Sequence, residues 1–439
     1  MALFPFKNNS VRLKGERNTA GQNIVPIALP REVHISMKQG QCDAAEPVVF
    51  VGDSVKVGQV IGKNLTPFSV PVHSSVSGTV KAVTNEPSVG GAFDVHVVIE
   101  CDGRQDFAAG VVPPSVESTK DFINAVRKSG LVGLGGAGFP MAAKFAPCVD
   151  AEVDTLIING VECEPFLTVD RMTMIAHSRD VISGSEAIMK WLGIGRCIIG
   201  VNRSMRDVYE LFEDLLKEKQ SISVRYVSDV YPIGAEHIIV RELTGRTLLP
   251  GRIAPDVGCL VCNVNSVVKL QHYLSTGLPL VTKNLTVDGS AVAARRNVEV
   301  PIGTLIRDVF DFCGGAPEGH DPVLTLLDGV MMGKVAENDR LPINASDNAV
   351  LFFDEDFARK LAPGACINCG RCIRCCPQNL MPGKIYDAVQ RLDTAFLEKS
   401  GAGNCINCGA CSYVCPARRR LSQSVFRLAA SMKGGKENE

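Results

Sequence analysis

Near its C-terminal end the chain repeats one cysteine pattern. CINCGRCIRCCP carries Cys366, Cys369, Cys372, Cys376 and Pro377, and CINCGACSYVCP carries Cys405, Cys408, Cys411, Cys415 and Pro416. Each copy reads C-x2-C-x2-C-x3-C-P, the spacing in which three thiolates of a tight loop hold one [4Fe-4S] cluster while the fourth Cys crosses to the other. The pattern commits residues 355–425 to a double [4Fe-4S] ferredoxin-like α module, a wire for single electrons. It predicts Cys366, Cys369, Cys372 and Cys415 on one cluster and Cys376, Cys405, Cys408 and Cys411 on the other. Zinc ribbons and fingers use two Cys pairs separated by a longer loop, whereas these copies match even in their non-ligand residues. Cys375 competes with Cys376 for the crossing position, and the register with Cys415 favours Cys376.

At 439 residues the chain has room for three or more domains. Lys and Arg number 46 against 47 Asp and Glu, so no basic field argues for nucleic acid as a partner. Of 17 Cys, eight fall in the cluster motifs, and cluster thiolates need a reducing compartment. The start, MALFPFKNNSVRLKG, lacks the apolar stretch of a signal peptide, and no apolar window is long enough to span a bilayer. A soluble or peripheral protein facing the cytoplasm is expected.

The texture predicts a multidomain α/β protein. Residues 1–115 are rich in Val and Gly, and AEPVVFVGDSVKVGQVIGK and PVHSSVSGTVKAV read as short strands between tight turns. This N-terminal β domain resembles the barrel-sandwich hybrid of lipoyl and biotinyl carriers, but its central turn, Thr66 to Val70, holds no Lys for attachment and points to a scaffold role. Over 116–265, the amphipathic helix STKDFINAVRKSG and the alternation of DTLIING and RCIIGV with helical stretches predict an α/β domain with a mainly parallel sheet. A small β-plus-helix module is expected at 266–354, and a disordered tail at 426–439.

Between a helix stop and a second helix, GLVGLGGAGFPMAAKF crowds Gly133, Gly135, Gly136 and Gly138 together, letting backbone N–H groups approach a phosphate or flavin. It is neither a P-loop nor a G-x-G-x-x-G fingerprint. After DTLIIN, NGVECEPFLTVDR places Asn159, Glu162 and Glu164 where a doubly wound sheet positions its ligand groups, and acidic residues there can accept ribose hydroxyls. The competing readings are a tight core turn and a solvated acidic loop.

Together, GLGGAGFP with Lys144, NGVECEP, YPIGAEH and CNVNS resemble the FMN- and NADH-binding core of the respiratory complex I flavin subunit. With the β domain before and the double cluster after, residues 20–425 resemble the C subunits of Rnf ion-translocating electron-transport complexes. That resemblance implies FMN held by Gly133, Gly135, Gly136 and Lys144, with Asn159 and Asn263 near the flavin. It also implies a nicotinamide or adenine ring on Phe139, NADH contacts at Glu164 and Glu236 around Gly234, and a β-grasp (SLBB-like) third module. Compared with complex I, Leu134 replaces an Arg, Met141 a Thr, Ala235 a Glu and Cys262 an Asn.

The function so implied is NADH-side electron transfer between NAD(H), FMN and two [4Fe-4S] clusters, in an oxidoreductase complex that translocates Na+ or H+ through partner subunits. Implied partners are the iron-sulfur B subunit and the membrane subunits, with ferredoxin reached through the complex. The implied location is the cytoplasmic face of the cell membrane, held peripherally. No catalytic acid, base or nucleophile is expected, because the chemistry belongs to the cofactors. Alternatives are a cobalamin-reductase-type flavoprotein, a proline-reductase-linked carrier, and, from another class, a flavin-free electron relay.

Overall fold

The computed structural model describes residues 9–434 apart from 15, 250, 360 and 361. The N-terminal β domain is a sandwich of two sheets. One has the order Glu32–Ser36, Phe93–Cys101, Gly78–Pro87, Ser54–Val55, and the other Glu46–Pro47, Val60–Lys63, Val72–His73, every neighbouring pair antiparallel. Alternation puts Val33, Ile35, Val80, Val97 and Ile99 inward against Ile61 and Val72.

Four parallel strands form the next sheet, in the order Ile222–Val227, Arg196–Asn202, Thr155–Asn159, Cys259–Asn263. Leu156 and Ile158 enter one apolar core and Ile157 another, so both faces are covered and the strand reads as a continuous apolar run. Chain order reverses between Thr155–Asn159 and Cys259–Asn263, which opens a crevice at their carboxyl ends. Asn159 and Asn263 stand opposite one another there. The helix foreseen in STKDFINAVRKSG runs Thr119–Lys128; Ser118 caps it by accepting from the Asp121 N–H at 3.2 Å, and Phe122, Ala125 and Val126 are buried. A helix over Val264–Thr276 buries Val264, Val267, Val268 and Leu270 in the same core. The boundary expected at 266 therefore falls inside an element of the α/β layer, and the third module begins after it.

That module is a six-stranded mixed sheet, ordered Ile24–Pro26, Arg296–Pro301, Thr282–Asp288, Ala349–Phe353, Leu324–Leu327, Lys334–Val335, with Ile306 and Val309 of the helix Ile306–Phe312 in its core. Its first strand comes from the N-terminal segment, which the sequence assigns to the β domain; Ile24–Pro26 pairs parallel with Asn297–Glu299 instead. The same segment runs as a strap along the other modules. Asn9 bonds Asn379, Val11 bridges Tyr231, Arg17 donates to the Glu162 carbonyl, and Asn18 reaches Asp288 at 3.0 Å.

In the C-terminal module the two cysteine copies share one backbone. Asn368 and Asn407 both adopt φ 54°, Gly370 and Gly409 φ 70° and 73°, and the short helices Arg371–Arg374 and Ala410–Tyr413 follow. The tail expected to be disordered from 426 is helical over Leu421–Gly434, because Val425 and Leu428 continue an apolar stripe packed on Ile385 and Ala388; residues 435–439 lie outside the described residues. Among the described residues, no helix is long and apolar enough to cross a membrane.

Candidate functional site

The glycine loop lies over the crevice with Gly135, Gly136 and Ala137 exposed. It is closed by Gly133 N–H to the Phe139 carbonyl at 2.8 Å and Gly138 N–H to the Gly133 carbonyl at 3.0 Å. A Cβ on Gly135 would stand 2.9 Å from Asn263 Nδ2, so the loop can pass over Asn263 only as glycine. Leu134 is fixed at both ends: its N–H donates to Ser266 Oγ at 2.8 Å, and its carbonyl accepts from Lys283 Nζ at 2.7 Å. Lys283, 1% exposed, also donates to Asn348 Oδ1 at 2.8 Å.

Around this loop the structure gathers most of the expected residues. Lys144 and Glu236 form an ion pair at 2.7 Å, both partly exposed, with Glu236 in the first turn of the helix Glu236–Thr244, where its charge suits the dipole. Asn159 accepts from the Val161 N–H and donates to the Gly234 carbonyl at 3.0 Å, joining two loops of the cleft. Asn263 donates to Asp170 at 2.8 Å and caps the helix Val264–Thr276 through the Asn265 N–H, so it shapes the loop from behind.

Two acidic residues are placed otherwise than expected. Glu162 is 4% exposed, turned inward to accept from the Asp170 N–H at 2.7 Å with Arg17 at 3.7 Å. Burial, then the Asp170 charge, pushes its carboxyl well above the ordinary range; it is a structural group of the loop and does not face the crevice. Glu164 accepts from the Met331 and Met332 N–H groups at 3.1 and 3.0 Å, clasped by the third module. Burial outweighs those two bonds and raises its pKa to about 7. Gly329 presses on it so closely that a Cβ there would lie 2.8 Å from Glu164 Oε2.

The loop YPIGAEH faces both ways. Gly234 and Glu236 belong to the cleft, while the Tyr231 hydroxyl, three residues earlier, donates to the Cys408 carbonyl at 2.6 Å. Tyr231, Cys163 and Met331 share one apolar cluster with Cys372, Cys375, Cys408, Cys411 and Cys415. Cys376, Cys405, Cys408 and Cys411 line a single cavity, which Leu380 and Val425 also wall. Backbone N–H groups of Leu380 and Asn407 point at Cys376 and Cys405 Sγ, each at 3.4 Å. Burial, followed among the raising causes by the neighbouring Cys376 and Cys405, pushes the Cys408 thiol up to about 11, and burial also raises Cys376 and Cys411; a positive centre among thiols favours their thiolate form. Four soft donors round one cavity fit a [4Fe-4S] cluster. The other copy is more open: Cys366 is exposed and accepts from the Asn368 N–H.

Sequence reasoning does not single out Lys283, Ser266 or Tyr231 as functional. Lys283 has a signal, a single cation inside the apolar run LVTKNLTVD; Tyr231 and Ser266 lie within YPIGAEH and CNVNS with no signal of their own.

A parallel sheet with its crevice at the strand switch, a glycine loop above it and a thiol-lined cavity behind its wall define a flavin and iron-sulfur oxidoreductase architecture. Four families match in order: the RnfC barrel sandwich hybrid domain over 8–104, the Nuo51 FMN-binding domain over 126–272, the SLBB domain over 284–335 and the 4Fe-4S dicluster domain over 359–425. The C subunit of the proton-translocating ferredoxin:NAD(+) oxidoreductase complex of Clostridium ljungdahlii is 34% identical over 84% of this chain and 81% of its own length. The Na(+)-translocating counterpart of Acetobacterium woodii is 34% identical over 83% and 81%, and the C subunit of the ion-translocating oxidoreductase complex of Rhodobacter capsulatus 29% over 83% and 71%. The chain belongs to the family of Rnf complex C subunits. Its fold is also that of a chain of an NAD+-reducing [NiFe]-hydrogenase in the air-oxidized state, with TM-score 0.51 and 17% identity over 72% of this chain and 66% of that one, just under two thirds.

Proposed function

We propose that this chain is the NAD(H)-side subunit of a membrane-bound ferredoxin:NAD+ oxidoreductase, exchanging electrons between NAD(H) and two [4Fe-4S] clusters through FMN in the glycine-loop cleft. Bound there, FMN supplies the conversion between two-electron exchange with a nicotinamide and one-electron exchange with a cluster. The chain supplies position. Gly133, Gly135 and Gly136 offer backbone to the flavin, Lys144 the cation for its phosphate or ring, Asn159 ties two loops of the cleft together, and Asn263 supports the glycine loop from behind at the strand switch. Gly234 and Glu236 form the wall on which the nicotinamide nucleotide lies, with Phe139 at the rim. Glu164 shapes the cleft through the Met331–Met332 backbone. Cys376, Cys405, Cys408 and Cys411 hold the inner cluster, and Cys366, Cys369, Cys372 and Cys415 the outer one.

One observation carries this reading: a single loop reaches the cleft through Gly234 and Glu236 and a cluster-binding turn through Tyr231 and the Cys408 carbonyl. Family membership supports the rest of the reading. Other Rnf subunits, the iron-sulfur B subunit and the membrane subunits among them, hold this chain at the cytoplasmic face and move Na+ or H+, and ferredoxin is reached through them.

The test is anaerobic purification with flavin and iron quantified, then mixing with NADH in a stopped-flow spectrometer. Flavin bleaching followed by loss of cluster absorbance is expected. Full clusters without flavin or any response to NADH would overturn the reading in favour of a flavin-free relay.

A further inference from the structure

The barrel-sandwich domain is built into the rim of the cleft. Its turn at Thr66 to Val70, the position at which carrier domains of this shape present a prosthetic group, is docked on the flavin-binding layer: Val70 is 2% exposed within the core of that layer. Alongside, Gly40 and Gly138 meet backbone to backbone. A Cβ on Gly40 would stand 2.4 Å from the Gly138 carbonyl oxygen, and Gln41 N–H donates to that oxygen at 2.9 Å. Gly138 closes the glycine loop and Phe139 follows it. Across the joint Phe68, its carbonyl accepting from the Asp43 N–H at 3.1 Å, meets Phe139 edge to face, ring centroids 6.0 Å apart at 72°.

Phe68 is nonetheless 51% exposed, and the exposed backbone of Gly135 to Ala137 is only a few residues from its partner ring. Two rings at a T-shaped angle make a corner that a planar heterocycle fills, stacking on one ring and meeting the edge of the other. We propose that Phe68, contributed by the barrel-sandwich domain, completes with Phe139 the site for the adenine ring of the dinucleotide. This rests on the cleft being the NAD(H) site. The redox-active ring must face the Tyr231 loop, which touches the cluster module; Phe68 and Phe139 stand on the barrel side of the glycine loop and take the far end of the molecule.

The full-length, FMN-loaded protein tests this with ADP-ribose, which keeps the adenine and lacks the nicotinamide, and with reduced nicotinamide mononucleotide, which lacks the adenine. Phe68→Ala is expected to weaken ADP-ribose binding in titration calorimetry about tenfold, equivalent to 1.4 kcal/mol of lost stacking. The KM for NADH should rise by a similar factor, with oxidation of the mononucleotide and FMN content unchanged. Phe68→Tyr, which keeps the ring, should retain wild-type affinity, whereas Phe68→Leu, which keeps only bulk, should not. ADP-ribose affinity unchanged in Phe68→Ala overturns the inference, as does an equal loss for the mononucleotide, which would put the nicotinamide at this corner. Loss of FMN in Phe68→Ala with full function in Phe68→Leu overturns it too, by making Phe68 a prop between domains. Failure of the wild type to respond to either nucleotide would instead defeat the reading of the cleft itself.

Discussion

Replacing Lys283 by Met tests whether the glycine loop is held from beneath by a buried charge. The substitution keeps the length of the stem and removes an ammonium that is 1% exposed and bonded to the Leu134 carbonyl and Asn348 Oδ1. Each charge-assisted bond contributes about 1.5–3 kcal/mol. Asp170, Asp328 and Asp347 also lose the cation that offsets their burial, and removing one member of a buried charged set costs about 3–5 kcal/mol. Better packing of the Met stem offsets part of this, leaving an expected loss of about 4 kcal/mol. The single tryptophan, Trp191, stacks on Phe122 in the α/β layer, so its fluorescence in urea reports the unfolding of that layer. Burial lowers the Lys283 pKa from 10.5 to about 8. The unfolded chain therefore binds the extra proton between those values, and wild-type stability gains from this group as pH rises through that window, a gain the Met variant lacks. FMN retention should fall in parallel, since Leu134 loses its anchor. A variant within about 1 kcal/mol of wild type and retaining FMN normally would refute the argument.

Other outcomes follow from the same geometry. Tyr231→Phe leaves the Cys408 carbonyl without its donor at a cost of about 1–3 kcal/mol; NADH should still bleach the flavin, with the later loss of cluster absorbance slowed, and an unchanged second phase would show that the contact does not serve transfer. Replacing Cys376 by Ala should damage the cluster of Cys405, Cys408 and Cys411, and Cys415→Ala that of Cys366, Cys369 and Cys372; electron paramagnetic resonance showing damage to the cluster of the same copy would reject the crossing. Glu164, held near a pKa of about 7 by burial against an ordinary 4.5, keeps its proton in the folded state, so stability falls as pH rises from about 4.5 through 7. Glu164→Gln should flatten that decline and alter the KM for NADH with FMN and iron unchanged; an undiminished pH slope would mean that another group carries it.

The sequence exposes what is local. Cluster ligands three residues apart, a glycine loop six residues long and a Ser-capped helix each declare themselves within one window, because the chemistry fixes their spacing. It is silent where distant segments supply one another's partners. NGVECEP shows two glutamates alike, yet Glu162 turns inward to Arg17 and Glu164 is clasped by Met331 and Met332, choices made by chain far away in sequence. The strand Ile24–Pro26 is too short to predict and acquires its place from Arg296–Pro301. Lys283 stands out as an oddity in an apolar run, but its target, the Leu134 carbonyl, lies 149 residues earlier. The composition of the tail suggests disorder from 426, and over the described residues the apolar stripe of Val425 and Leu428 carries a helix on to Gly434.

The strap of residues 9–26 bears on how the molecule is assembled. It is the first described part of the chain to leave the ribosome, yet its partners include Asp288, 270 residues later, and Asn379, 370 residues after Asn9. At 5–20 residues per second, those 370 residues take roughly 20 to 70 s to appear. The strap's contacts with Glu162 and Tyr231 can form earlier, whereas those with Asp288 and Asn379 wait until those residues emerge, so docking on the cluster module comes last. Closure of the strap thus waits on the cluster module, and it joins the earliest described residues to one of the last modules to be made.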